Sequence, residues 1–162
     1  MRSGDLSATL EVLKLLARAE ETMAEFYRTC AQVRGAETDP WLDLEREERQ
    51  HLEYVTRMAT IIAERPEHFE RLRPFNPVAI RTFIGYVEST TERLRRNELP
   101  AADRVRLLST AHGIEQSNIE CKYSEIVRST DVEFQALLHE IIGGTVTHKK
   151  RLETLLAAAR KG

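Results

Sequence analysis

Apolar side chains recur along most of this chain at the three- and four-residue spacing of an amphipathic α-helix. Prolines, glycines and short polar turns divide that pattern into five segments. We predict helices over about 6–33, 41–64, 78–96, 101–128 and 132–160. The chain has no strand-like alternation of any length, so the sequence predicts one all-α domain over residues 1–162.

Four of these helices are long, and the shorter one, 78–96, lies in the connection between the second and third long ones. Pro66, Pro74 and Pro77 mark that connection, which begins near residue 65. A long crossover after the second of four helices is typical of a ferritin-like four-helix bundle rather than of a simple up-and-down bundle. The short helix is therefore expected on the outside or at one end.

The inward-facing stripe of each long helix is apolar except for polar residues near its middle. In the first helix the interruption is Glu20, and in the second it is Glu48 with His51. The third stripe is rougher but has a mid-helix acid, and the fourth contains a threonine and a histidine; these residues are Glu115, Thr145 and His148.

Buried carboxylates are costly unless they are paired or bound to a metal. Interruptions at a similar depth in four helices suggest that these side chains meet. Two cations held close together need several carboxylate oxygens and an imidazole each, and Glu-x-x-His presents both ligand types from one helix face. Glu48-Arg49-Gln50-His51 has that spacing.

With these residues the chain resembles the rubrerythrin-like branch of the ferritin-like di-iron carboxylate proteins. The run from Ala19 to Ala31 is similar to that family's first helix, Glu48 and His51 match the motif of the second, and 111–115 is similar to the ligand turn of the third. The resemblance implies that the metal ligands are Glu20, Glu48, His51, Glu115 and His148. It also implies an iron centre that handles iron or reduces peroxide or dioxygen, and a homodimer.

The chain departs from that family in two respects. Position 145 is Thr where the fourth helix should supply a Glu, so one carboxylate is missing; Glu140 is a poor geometric substitute and Glu120 a conceivable one. Three carboxylates and two histidines are compatible with two metals held asymmetrically, with one metal, or with none, and manganese or zinc are alternatives to iron. The two cysteines, Cys30 and Cys121, cannot form a four-cysteine rubredoxin centre, so redox chemistry would need a separate electron donor.

Several assignments stay open at the level of sequence. Glu21 competes with Glu20 as the first-helix ligand, Glu115 could be a structural acid paired with His112, and His148 could be a hydrogen-bonded core histidine. Gly143 and Gly144 weaken the last helix by about 1–2 kcal/mol together, unless close packing uses them.

Composition narrows the function classes further. The 24 Lys and Arg residues against 26 Asp and Glu residues give a net charge of −2, which argues against a general nucleic-acid binder. No apolar run approaches a membrane span and no signal peptide is recognisable, so we expect a cytoplasmic protein without a membrane partner. The alternative function is a non-catalytic helical bundle with a degenerate metal site, acting as an interaction or regulatory module.

Overall fold

The computed structural model describes residues 3–33, 38–72, 77–98, 104–117 and 127–161. This part of the chain is mostly helical, which confirms the all-α class. Its elements are α1 (Ser3–Ala31), α2 (Thr38–Glu64), a 3-10 turn (Pro66–His68), β1 (Phe69–Arg71), α3 (Pro77–Arg95), α4 (Arg104–Gln116), β2 (Val127–Ser129) and α5 (Val132–Ala159). None of these helices is long and apolar enough to cross a membrane.

The helices pack so that each buries the apolar stripe read from the sequence. Helix α1 lies along α2 on one side and along α3 on another, while α5 packs on α2 and α4. The core between them includes fully buried side chains from α1, α2 and α5, among them Phe26, Leu44, Ile61, Ile141 and Leu152. Helix α3 packs on α1 and contributes Ile80, Phe83 and Val87 to this core.

Residues with special backbone preferences set the ends of the helices. Pro40 and Pro77 lie in the first turns of α2 and α3, where a missing N–H costs no helical hydrogen bond. Asn97 follows α3 with φ of 55°, a left-handed conformation that asparagine tolerates. Asp131 caps α5 by accepting a hydrogen bond from the backbone N–H of Phe134.

The prediction of a third long helix over 101–128 is wrong at its C-terminal end. Residues 127 and 128 belong to β2, which pairs antiparallel with β1, Val127 standing opposite Arg71. Sequence spacing missed both strands because each has three residues, too few for an alternation to show. Three members of the third apolar stripe lie outside the described residues, namely Ile119, Lys122 and Ile126.

Candidate metal centre

The five side chains expected to be metal ligands converge in the middle of the helix packing. Glu20 comes from α1, Glu48 and His51 from α2, Glu115 from α4 and His148 from α5, and none exposes more than 4% of its surface. Completely buried aliphatic residues lie one turn away on the same stripes, such as Leu44 and Val55 in α2. The polar cluster is therefore enclosed in an apolar shell.

Ligand atoms in this cluster form two groups that share one residue. Glu20, Glu48 and His51 each offer an atom within 4.8 Å of the others, and so do Glu48, Glu115 and His148. Glu48 contributes to both groups because its two oxygens face different histidines: Oε2 lies 3.2 Å from His51 Nδ1 and Oε1 lies 3.0 Å from His148 Nδ1. The two imidazole rings stack with centroids 5.3 Å apart.

Several polar atoms of the second group are buried without a hydrogen bond. Glu48 Oε1, Glu115 Oε2 and His148 Nδ1 have no hydrogen-bond partner among the described residues. The contacts of His148 Nδ1 with Glu48 Oε1 and with Glu115 Oε1, at 3.0 and 3.4 Å, are therefore ion-pair contacts without hydrogen-bond geometry. Carboxylate oxygens and imidazole nitrogens that lack hydrogen bonds are suitable ligands for a metal cation. A cation accepts their electron pairs directly and needs no N–H group pointing at them.

The acids around His148 make it the positive charge of the metal-free cluster. Burial by itself lowers the pKa of His148, but Glu115, Glu47 and Glu48 outweigh burial and raise that pKa to about 12. Burial also opposes ionisation of Glu48, whose pKa nevertheless falls below its usual range because His148 and His51 are adjacent. Burial raises the pKa of Glu115, and the charge on Glu48 raises it further. A bound cation would replace the imidazolium proton, so binding should release protons.

Tyr27 holds one of the carboxylates in place. Its hydroxyl donates a hydrogen bond to Glu115 Oε1 at 2.5 Å, and its ring stacks on Trp41 with centroids 6.1 Å apart. Burial raises the pKa of Tyr27 well above its usual value, with Glu115 adding to the effect, so the hydroxyl keeps its proton. Side-chain spacing within α1 gives no sign of this contact, because Glu115 lies 88 residues further along the chain.

Gly144 explains why α5 tolerates a glycine pair. A Cβ atom built on Gly144 would lie 2.3 Å from Nε2 and 2.7 Å from Cε1 of His51, whereas one built on Gly143 meets no atom of the described residues within 4 Å. Only a glycine at 144 therefore leaves room for the His51 ring. In the sequence, the Gly-Gly pair within a helical pattern was the signal of close packing at this position. The structure shows that close packing accounts for the second glycine, Gly144.

Glu47 is a site residue that the sequence analysis missed. Its Oε2 lies 2.8 Å from His148 Nε2, on the side of the ring away from Glu48, in an ion-pair contact that also lacks hydrogen-bond geometry. Its Oε1 accepts a hydrogen bond from Arg151 at 2.9 Å. His148 and Arg151 lower the pKa of Glu47 to about 2 despite its partial burial. Histidines that bind metals commonly have a carboxylate at their other ring nitrogen. A Glu immediately before the Glu-x-x-His motif gives no such signal in sequence.

The structure also decides between alternatives left open by the sequence. Glu21 is exposed and pairs with Arg18, so Glu20 is the buried acid of α1. His112 contacts Glu153 at 3.2 Å, which contradicts its pairing with Glu115.

None of the described residues of α5 supplies the carboxylate that the family resemblance implies for the fourth long helix. Thr145 is completely buried and its hydroxyl donates to the backbone carbonyl of Ile141 at 3.1 Å. Glu140 is exposed, and Glu120 and Cys121 lie outside the described residues. The cluster seen here thus has three fully buried carboxylates and two imidazoles.

Comparisons with known proteins leave the chain without an assigned relative: no family model, no curated protein and no solved structure matches it.

Proposed function

We propose that this chain is a ferritin-like metalloprotein that binds a pair of divalent metal ions, iron in the cell, between its helices. The observation that carries the proposal is the pair of buried donor groups that share Glu48. Glu20 and His51 would hold one ion, Glu115 and His148 the other, and Glu48 would contribute to both. The donors fit a cation because buried oxygen and nitrogen atoms of the cluster otherwise lack hydrogen bonds.

Iron is preferred over other ions because mixed carboxylate and imidazole donors suit it, although they also accept manganese and zinc. Bound iron would supply the one-electron changes needed to reduce peroxide or dioxygen. The protein's own contributions are different ones. Its apolar shell limits water, Tyr27 fixes the orientation of Glu115, and Glu47 fixes the ring of His148. Electrons would come from a separate donor protein.

Metal analysis of the purified protein tests this proposal. The chain is prepared without chelators from cells supplied with iron and manganese, and the bound metals are measured by mass spectrometry. We expect near-stoichiometric metal, and a marked loss in His51→Ala but not in His68→Ala, since His68 is exposed and lies outside the cluster. Trace metal that His51→Ala leaves unchanged would refute the proposal. Faster consumption of hydrogen peroxide by the ferrous-loaded chain than by free ferrous ion would then assign redox function rather than iron handling.

A second function, that of a non-catalytic interaction module, is favoured by one specific feature. Position 145 carries a threonine whose hydroxyl is bonded to its own helix, and His148 already neutralises Glu48. On this alternative the polar cluster is a structural network, and removing metal from the protein leaves its melting temperature unchanged.

A further inference from the structure

A surface depression of about 410 Å³ lies between α2 and α5, directly outside the candidate metal centre. Its walls include Glu47 and Tyr54 of α2 and Glu140 and Gly143 of α5, and both His51 and His148 contribute to its lining. Because a water molecule in the liquid takes up about 30 Å³, the depression has room for a hydrated ion. It therefore joins solvent to the two imidazoles of a cluster that is otherwise enclosed.

Both glycines of α5 line this depression. Gly144 leaves the space that the His51 ring occupies, and Gly143, one residue before it, lines the depression with no side chain at all. Two glycines inside a helix cost about 1 kcal/mol each relative to alanine. The packing of His51 accounts for Gly144 but not for Gly143, whose position tolerates a Cβ atom.

The charge around the depression favours a cation. Glu140 contributes an exposed carboxylate, Glu47 contributes a carboxylate that already contacts His148 and Arg151, and no Lys or Arg is among the described residues that line the depression. A second depression, between α1, α2 and α3, contacts none of the five cluster residues, and three arginines lie beside the four glutamates that line it. A cleft lined by charges of one sign raises the local concentration of ions of the opposite sign and their rate of association.

We infer that the depression at Gly143 and Gly144 is the access route by which a divalent metal ion reaches the buried centre, with the exposed carboxylate of Glu140 attracting it. This inference rests on the proposed metal binding. It adds that the absence of a side chain at Gly143 leaves space for the ion to pass, so that metal loading does not require the helices to separate.

The test compares the rate of metal uptake with its extent. The metal-free protein is mixed with Co²⁺ in a stopped-flow instrument, and the visible absorption of the bound ion is followed. Gly143→Trp should slow uptake by about tenfold or more, because loading then requires a conformational change, and should leave the final stoichiometry unchanged. Val146→Trp, which adds the same indole to an exposed α5 position outside the depression, and Gly143→Ala, which leaves the depression open, should load at the rate of the unmodified chain.

Uptake by Gly143→Trp at the unmodified rate would overturn the inference. If that variant does not fold, Thr147→Trp serves instead, since Thr147 is exposed and also lines the depression. A second measurement needs no metal: acylation of His51 by diethyl pyrocarbonate, with the exposed His68 as internal reference, should slow in Gly143→Trp only. An unmodified chain that binds no Co²⁺ would refute the proposed function, whereas equal acylation of His51 in both proteins would refute the route by itself.

Discussion

Replacing Gly144 by Ala should weaken metal binding without removing a ligand. The new Cβ atom would lie 2.3 Å from His51 Nε2, about 1 Å inside the closest ordinary contact, so the ring must move or rotate. Forcing a buried ring off its preferred position costs about 1–3 kcal/mol. Alanine returns about 1 kcal/mol of helix propensity. The metal-free variant should therefore range from unchanged to about 2 kcal/mol less stable.

Gly143→Ala is the matched control, one residue away in the same helix. It gains the same helix propensity and its Cβ atom meets no atom of the described residues within 4 Å. This variant should be about 1 kcal/mol more stable than the unmodified chain and should bind metal normally. The two variants should thus differ from each other by about 1–3 kcal/mol in stability, whereas helix propensity alone would make them equally stable.

The assay pairs urea unfolding of the metal-free proteins with calorimetric titration of Mn²⁺. In Gly144→Ala we expect an affinity at least about tenfold weaker, because His51 no longer faces Glu48 and Glu20. Equal stability of the two alanine variants together with equal affinity would refute the reasoning, since Gly144 would then not be shaping the position of His51.

Three further predictions concern other parts of the site and the fold. Glu47→Gln should weaken metal affinity about 10–100-fold while Glu53→Gln, at an exposed position of α2, should not; affinity unchanged by Glu47→Gln would exclude Glu47 as the partner of His148. Thr145→Glu should lower the melting temperature of the metal-free chain by adding a buried carboxylate, and metal should restore it; a melting temperature that metal does not change would contradict the proposed site. Asp131→Ala should cost about 1 kcal/mol in urea unfolding at pH 7. The hydrogen bond from Phe134 N–H, and then Arg65, lowers the pKa of Asp131, so its contribution is complete above about pH 4 and is lost as the pH falls through the lower, folded-state pKa. A destabilisation by Asp131→Ala that stays constant down to pH 2 would show that the charge is unimportant.

The sequence could predict the helices and the buried acids because the spacing of apolar residues indicates which face of a helix packs against the core. Glu20 and Glu48 each fall on an apolar stripe, and an acid in that position is buried as soon as the helix packs. The same reasoning failed at residues 127 and 128, since Val127 pairs with a strand residue, Arg71, that lies 56 residues earlier in the chain. Pairing between two strands that are distant in sequence produces no periodic pattern of residues within either strand.

The contacts of Tyr27, Glu47 and Gly144 could not be predicted for a related reason. Each depends on how far one helix is rotated and translated against another, and side-chain spacing within a helix does not contain that quantity. Tyr27 meets Glu115 across 88 residues, and Glu47 meets Arg151 across 104. Gly144 gave the one usable clue, because an unexplained helix-weakening residue in a buried segment indicates close packing.

The central claim is that two buried groups sharing Glu48 hold metal ions, and anomalous diffraction tests it most directly. Crystals of the iron-loaded chain are measured on both sides of the iron absorption edge. The account predicts two anomalous peaks, one among Glu20, Glu48 and His51 and the other among Glu48, Glu115 and His148. Iron-loaded crystals without a peak at either group, or with peaks at the surface alone, would contradict it.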